Sequence, residues 1–104
     1  MAQTVVRCPV EEAIQTIGGK WKLLVLRSLL LNGPQRYNEL LGSVTAISQK
    51  ELTRNLRELT GAALISRDSE TNRIARYQLT KLGKGLMPTF RKLLTWGTKL
   101  QALS

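Results

Sequence analysis

SQKELTRNLREL, residues 48–59, reads as an amphipathic helix with its cations gathered on one side. Ser48 followed three residues later by Glu51 is the pattern of a capping box. In that box the serine oxygen takes the backbone N–H of Glu51, and the Glu51 carboxylate returns to the N–H of Ser48. On a helical wheel of about 100° per residue, with Leu52 at zero, Leu56 falls near +40° and Leu59 near −20°. These leucines define an inner face. Lys50, Arg54 and Arg57 fall between about 140° and 200°, directly away from it. Gln49 and Thr53 take one flank, Glu51 and Glu58 the other. On a merely solvated face the acids and bases would intermingle; here the acids stand aside. The first turn, with Ser48, Gln49 and Lys50, is the part that a DNA-reading helix inserts deepest. Gln suits adenine, and Arg suits guanine or phosphate.

The flanking sequence supplies a frame for that helix. Pro9 suits the first turn of a helix carrying Val10, Ala13, Ile14 and Ile17, which Gly18-Gly19 ends. KWKLLVLRSLLLNGP (Lys20 to Pro34) is apolar almost all round and reads as a central buried helix, stopped by Gly33 and Pro34. Gln35 to Tyr37 reads as a short strand. Asn38 to Val44 reads as a short helix, with Asn38 as its cap and Arg36 and Tyr37 at its start as phosphate contacts. The helix after Ser48 runs to about Thr60 and closes on Gly61. Leu64 to Ser69 and Ile74 to Thr80 read as two strands joined by a turn at Glu70-Thr71-Asn72, with Ala75, Tyr77 and Leu79 on one face. Thr80 then caps a last helix with Leu82, Leu86, Phe90, Leu93, Trp96 and Leu100 as its stripe, bent by the internal Pro88.

The expected fold is therefore mainly α with a small β-hairpin. A helix pair followed by a hairpin is a winged helix-turn-helix, in one domain spanning 1–104. Within it, 1–19 is an N-terminal helix, 20–80 the helix-turn-helix and wing, and 81–104 a C-terminal helix. Arg67, Arg73 and Arg76 lie on or beside the wing. A wing follows the flanking minor groove or backbone, where Arg is favoured. The expected DNA contacts are Arg36, Tyr37, Ser48, Gln49, Lys50, Thr53, Arg54, Arg57, Arg73 and Arg76.

Composition agrees. In 104 residues, 16 Lys and Arg face 7 Asp and Glu, a formal +9, and 42% of the chain is hydrophobic. Such charge selects phosphates or an anionic surface as partner. The last segment, 81–104, holds five cations and no acid. With no His, neither a His-Cys metal site nor a Ser-His-Asp triad can form. The GGK at Gly18–Lys20 lacks the spacing of a phosphate loop, and Trp21 stands where Ser or Thr would bind magnesium. No catalytic residue, cofactor or metal is expected. Without a membrane-length apolar run or a signal-like N-terminus, and with Cys8 alone, a cytoplasmic protein is expected.

The sequence from CPVEEAIQTIGGKW (Cys8–Trp21) onward resembles the HxlR-type regulators, bacterial transcription factors related to the MarR class. The marks are Cys8-Pro9, IGGKW (Ile17–Trp21), GPQRYNEL (Gly33–Leu40), ISQK (Ile47–Lys50), Leu52-Thr53, LREL (Leu56–Leu59), YQLTKLG (Tyr77–Gly83) and Trp96-Gly97. The resemblance implies a homodimeric regulator on a pseudo-palindromic double-stranded DNA operator. It implies that the first and last helices form the dimer contact. It also makes Cys8 a candidate sensor of electrophiles or oxidants, a small reactive effector being the signal. Arg7, Lys20 or Lys22 would assist the thiolate, and any protein disulfide would join Cys8 to its symmetry mate. One departure is visible: the hairpin SRDSETNRIARY (Ser66–Tyr77) is shorter than usual and lacks prolines, and Arg76 stands where an acid is usual. The competing readings are a sequence-independent nucleic-acid-binding module and a winged helix that meets an acidic protein.

Overall fold

Leu52, Leu56 and Leu59 of the quoted segment bury completely or nearly so, joined by Asn55. The computed structural model describes residues 8–68 and 75–104. Its order is α1 (Pro9–Ile17), α2 (Lys20–Asn32), β1 (Gln35–Arg36), α3 (Tyr37–Ser43), α4 (Gln49–Gly61), β2 (Ile65–Asp68), β3 (Arg76–Leu79), α5 (Lys81–Lys84) and α6 (Met87–Ala102). The expected winged helix-turn-helix is present: α3 and α4 form the pair, and β2 and β3 the wing. Ser69 to Ile74, including the expected turn and Arg73, lie outside the described residues, as does Arg7.

The core is aliphatic. Val25, Leu26 and Leu29 of α2 meet Leu40 of α3, the α4 leucines, and Leu64 and Ile65 at the start of the wing. Burying each such side chain contributes about 1.5–3 kcal/mol before chain entropy is set against it. The central helix is less enclosed than its composition suggests: Leu31 is 70% exposed. A polar seam crosses this core. Buried Gln35 donates from Nε2 to the Ser28 carbonyl at 3.1 Å and to Ser28 Oγ at 3.0 Å, and the Ser43 hydroxyl donates to Gln35 Oε1 at 3.1 Å. The seam ties β1 to α2 and α3 and leaves the buried amide paired, which removes the cost of burying it.

The sheet is antiparallel in the order β1-β3-β2. Tyr77 stands between Gln35 and Arg67, and Arg76 between Arg36 and Asp68. Directly opposed residues share a face, so Gln35, Tyr77 and Arg67 form one row. Arg36, Arg76 and Asp68 form the row on the other face.

Four element ends differ from expectation. Helix α3 starts at Tyr37 and is capped from Arg36, whose N–H donates to Glu39 Oε1 at 2.8 Å, so Asn38 is already inside the helix. Ser48 does cap α4, its Oγ accepting the Glu51 N–H at 3.1 Å. The Glu51 carboxylate, however, turns outward to pair with Arg54, so only half of the box forms. Helix α4 continues through Gly61. Ala63 takes the left-handed conformation (φ 63°) instead. Its N–H donates to Thr60 O at 3.0 Å, and that of Leu64 to Leu59 O at 3.1 Å, which is the Schellman arrangement. Last, the C-terminal helix is two helices. Thr80 caps the short α5 through the Gly83 N–H at 3.1 Å, and Pro88 opens α6 within its first turn. There its missing N–H costs nothing.

Candidate nucleic-acid interface

Helix α4 presents its outer side to solvent because its inner leucines are spent on the core. Gln49, Lys50, Thr53, Arg54 and Arg57 are all exposed, as the wheel requires, with Ser48 at the cap. Glu51 raises the pKa of Arg54, first through its side-chain hydrogen bond and then through its charge. The other acid of the helix, Glu58, is drawn away from the outer side by Lys22 of α2, at 3.2 Å. Lys50 and Arg57 are thereby left without a carboxylate partner among the described residues.

Tyr37, expected to touch phosphate, makes a contact within the protein. Its hydroxyl donates to the Gln49 carbonyl at 3.0 Å and lies 2.9 Å from Thr53 Oγ1. With the tyrosine proton committed to Gln49, Thr53 donates to the tyrosine oxygen. The two hydroxyls form a strut that pins the first turns of α4 to the start of α3. This contact depends on how the helices cross, so neither helix reveals it alone.

The wing arginines separate by face. Arg76 lies with Arg36 and Asp68 on the outer row; Arg36 and Arg76 are both exposed. Arg67 lies in the row of Tyr77 and looks across a cleft of about 490 Å³ at α4. Tyr37, Thr53, Leu56, Arg57, Arg67 and Tyr77 line that cleft. A neighbouring hollow of about 390 Å³, lined in part by Arg36, Arg67 and Tyr77, continues it over the start of α3. Arg67, placed beside the wing by the sequence but not among the expected DNA contacts, is thus brought to the cleft facing α4. The missing signal was strand register, which alternation within one strand does not supply.

Cys8 lines neither cleft. It is exposed at the N-cap of α1, where the backbone N–H groups of Glu11 and then Val10 favour the thiolate and lower its pKa. Lys20 and Lys22 do not serve it: Lys20 stacks over the Trp21 ring at 4.5 Å, and Lys22 holds Glu58. Among the described residues no cluster of three or more His, Cys, Asp or Glu side chains could hold a metal ion. Nor is any described helix long and apolar enough to cross a membrane.

Comparison with known proteins gives a consistent result. The sequence model of the HxlR-like helix-turn-helix family matches residues 16–103. An HTH-type transcriptional regulator of Methanothermobacter thermautotrophicus is 42% identical over 92 residues, covering 86% of this chain and 70% of that one. The crystal structure of the HTH-type regulator ytcD is similar at 33% identity and a TM-score of 0.84, over 92% of this chain and 99% of that one. That of quinone-bound YodB from B. subtilis is similar at 30% identity and a TM-score of 0.76, over 88% and 99%.

Proposed function

Because the chain belongs to the HxlR-like helix-turn-helix family, and so is a MarR-like transcriptional regulator and not an enzyme, we propose that it binds a pseudo-palindromic DNA operator as a homodimer, with α4 in the major groove. The observation that carries this is the outer side of α4. Gln49 and Lys50 in the first turn and Arg54 and Arg57 behind them point one way, on a helix braced at its cap by Ser48 and at its first turns by the Tyr37–Thr53 strut. The exposed Glu51–Arg54 pair is the kind worth about 0–1 kcal/mol, so Arg54 exchanges it for a base at little cost. Arg36 and Arg76 extend the contact along the backbone. The segments 1–19 and 81–104 supply the dimer contact, which sets two α4 helices about 34 Å apart on one side of the duplex.

Selection of bound sites from random duplexes tests the whole reading. The expected product is two related half-sites spaced about one helical turn apart. A sequence-independent binder would enrich nothing, and a winged helix made for an acidic protein would retain no duplex. Lys50→Ala and Arg54→Ala should each weaken the selected site by about 1–3 kcal/mol if the side chain reads a base. Unchanged affinity in both would remove α4 as the reading helix.

Cys8 is the proposed sensor. Its exposure and its place at a helix N-terminus favour a reactive thiolate, and the related YodB has been captured with quinone. Cys8→Ser should bind DNA normally without stress and fail to release it on quinone treatment. Release from that variant would assign sensing elsewhere.

A further inference from the structure

The cleft between α4 and the wing has a consequence for how DNA is held. If α4 lies in the major groove and the wing over the adjoining minor groove, the sugar–phosphate strand that separates those grooves must cross the cleft between them. The chemistry of the cleft suits that occupant. Arg57 faces into it from α4 and Arg67 from β2, both exposed, and neither has an acidic partner among the described residues. The acid nearest Arg57 in sequence, Glu58, is held by Lys22, and Asp68 stands on the opposite face of the sheet from Arg67. The hydroxyls of Tyr37 and Thr53 are satisfied by each other and by the Gln49 carbonyl, so they form a wall and not a set of donors. What the cleft offers is two guanidinium groups from two separate elements.

We propose that Arg57 and Arg67 form a phosphate seat that grips the DNA backbone between the recognition helix and the wing, fixing the register of α4 without reading sequence. Phosphate contacts position a protein on the duplex, whereas base contacts specify the site. The seat rests on the reading of α4 as the major-groove helix and adds a residue, Arg67, to it. Because the groups come from both sides of the cleft, the seat also sets the distance between helix and wing once DNA is bound.

The test is fluorescence anisotropy of the full chain on its selected operator and on a random duplex over a salt series. Arg57→Gln and Arg67→Gln should each weaken both duplexes by the same factor. Because the bound dimer carries each residue twice, each should reduce the slope of log affinity against log salt by about 2, and the double variant by about 4. Arg67→Lys should keep the slope. Circular dichroism confirms that the exposed substitutions leave the fold intact. An unchanged slope in Arg67→Gln, or a loss confined to the operator, overturns the seat. A wild-type protein that binds random duplex but selects no operator would remove the regulator reading. The slope on random duplex would still decide the seat.

Discussion

Cys8 shows how far one residue's position sets its chemistry. An isolated thiol is mostly protonated near neutrality, and a helix N-terminus favours the anion. The N–H groups of Glu11 and Val10 supply that effect here. The sign is definite: the folded thiol has the lower pKa, so the thiolate appears at lower pH in the native chain than in the unfolded one. Between the two values the native protein should alkylate faster. Iodoacetamide rates against pH, with and without denaturant, should show the native curve displaced to lower pH. Coincident curves would mean that the helix does not activate the sulfur. Other residues were legible to different degrees. Lys50, Arg54 and Arg57 could be read from a wheel because a buried leucine face dictates what lies opposite. The Tyr37–Thr53 strut could not, because it is made between two helices. Arg67 waited on the pairing of Tyr77 with it across the sheet.

At the scale of elements, periodicity located the helices, while their ends depended on packing. Gly61 was the natural stop for α4, yet the chain passes it in helical form and turns at Ala63, because the turn there brings Leu64 under Leu59 into the core. Pro88 read as an internal bend; the structure breaks the helix before it, where Gly85 and Leu86 separate α5 from α6. These two junctions make opposite predictions in one thermal denaturation series. Ala63 holds a left-handed φ of 63°, a conformation that costs an L-residue about 1–2 kcal/mol. Glycine relieves that strain and gives back about 0.5–1 kcal/mol in chain entropy. Ala63→Gly should therefore stabilise the protein by roughly 0.5–1 kcal/mol, the difference between those terms. Gly83→Ala should do the reverse. A Cβ there would stand 2.2 Å from the Leu64 carbonyl oxygen. That carbonyl also accepts from the Thr80 N–H and hydroxyl, so it cannot move without loosening the root of the wing. A loss of about 1–3 kcal/mol is expected, as for other overpacked sites. A neutral Gly83→Ala would show that α5 is free to slide.

The whole molecule carries more apolar surface than one copy can cover. On α6, Leu94 is 71% and Trp96 60% exposed, and Leu93, Leu100 and Leu103 are open beside them; Val10 and Ile14 of α1 are equally uncovered. Only the near edge of the last helix, at Leu86 and Phe90, packs on the core. Exposed apolar side chains of this extent fit the proposed dimer contact. Charge is consistent with the proposed second copy as its partner: α6 bears cations and no acid, while the first turn of α1 carries Glu11. Two-fold symmetry uses each residue twice, so one substitution removes two buried side chains, each worth about 1.5–3 kcal/mol. Trp96→Asp should thus turn a dimer into a monomer by analytical ultracentrifugation at micromolar concentration. Its helical circular dichroism should persist, since Trp96 lies outside the core. The same variant should bind a single half-site as the wild type does and lose the gain that the wild type shows when the second half-site is added. A Trp96→Asp protein that still sediments as a dimer, or that keeps the two-site gain, would place the interface elsewhere and separate the exposed face of α6 from DNA binding.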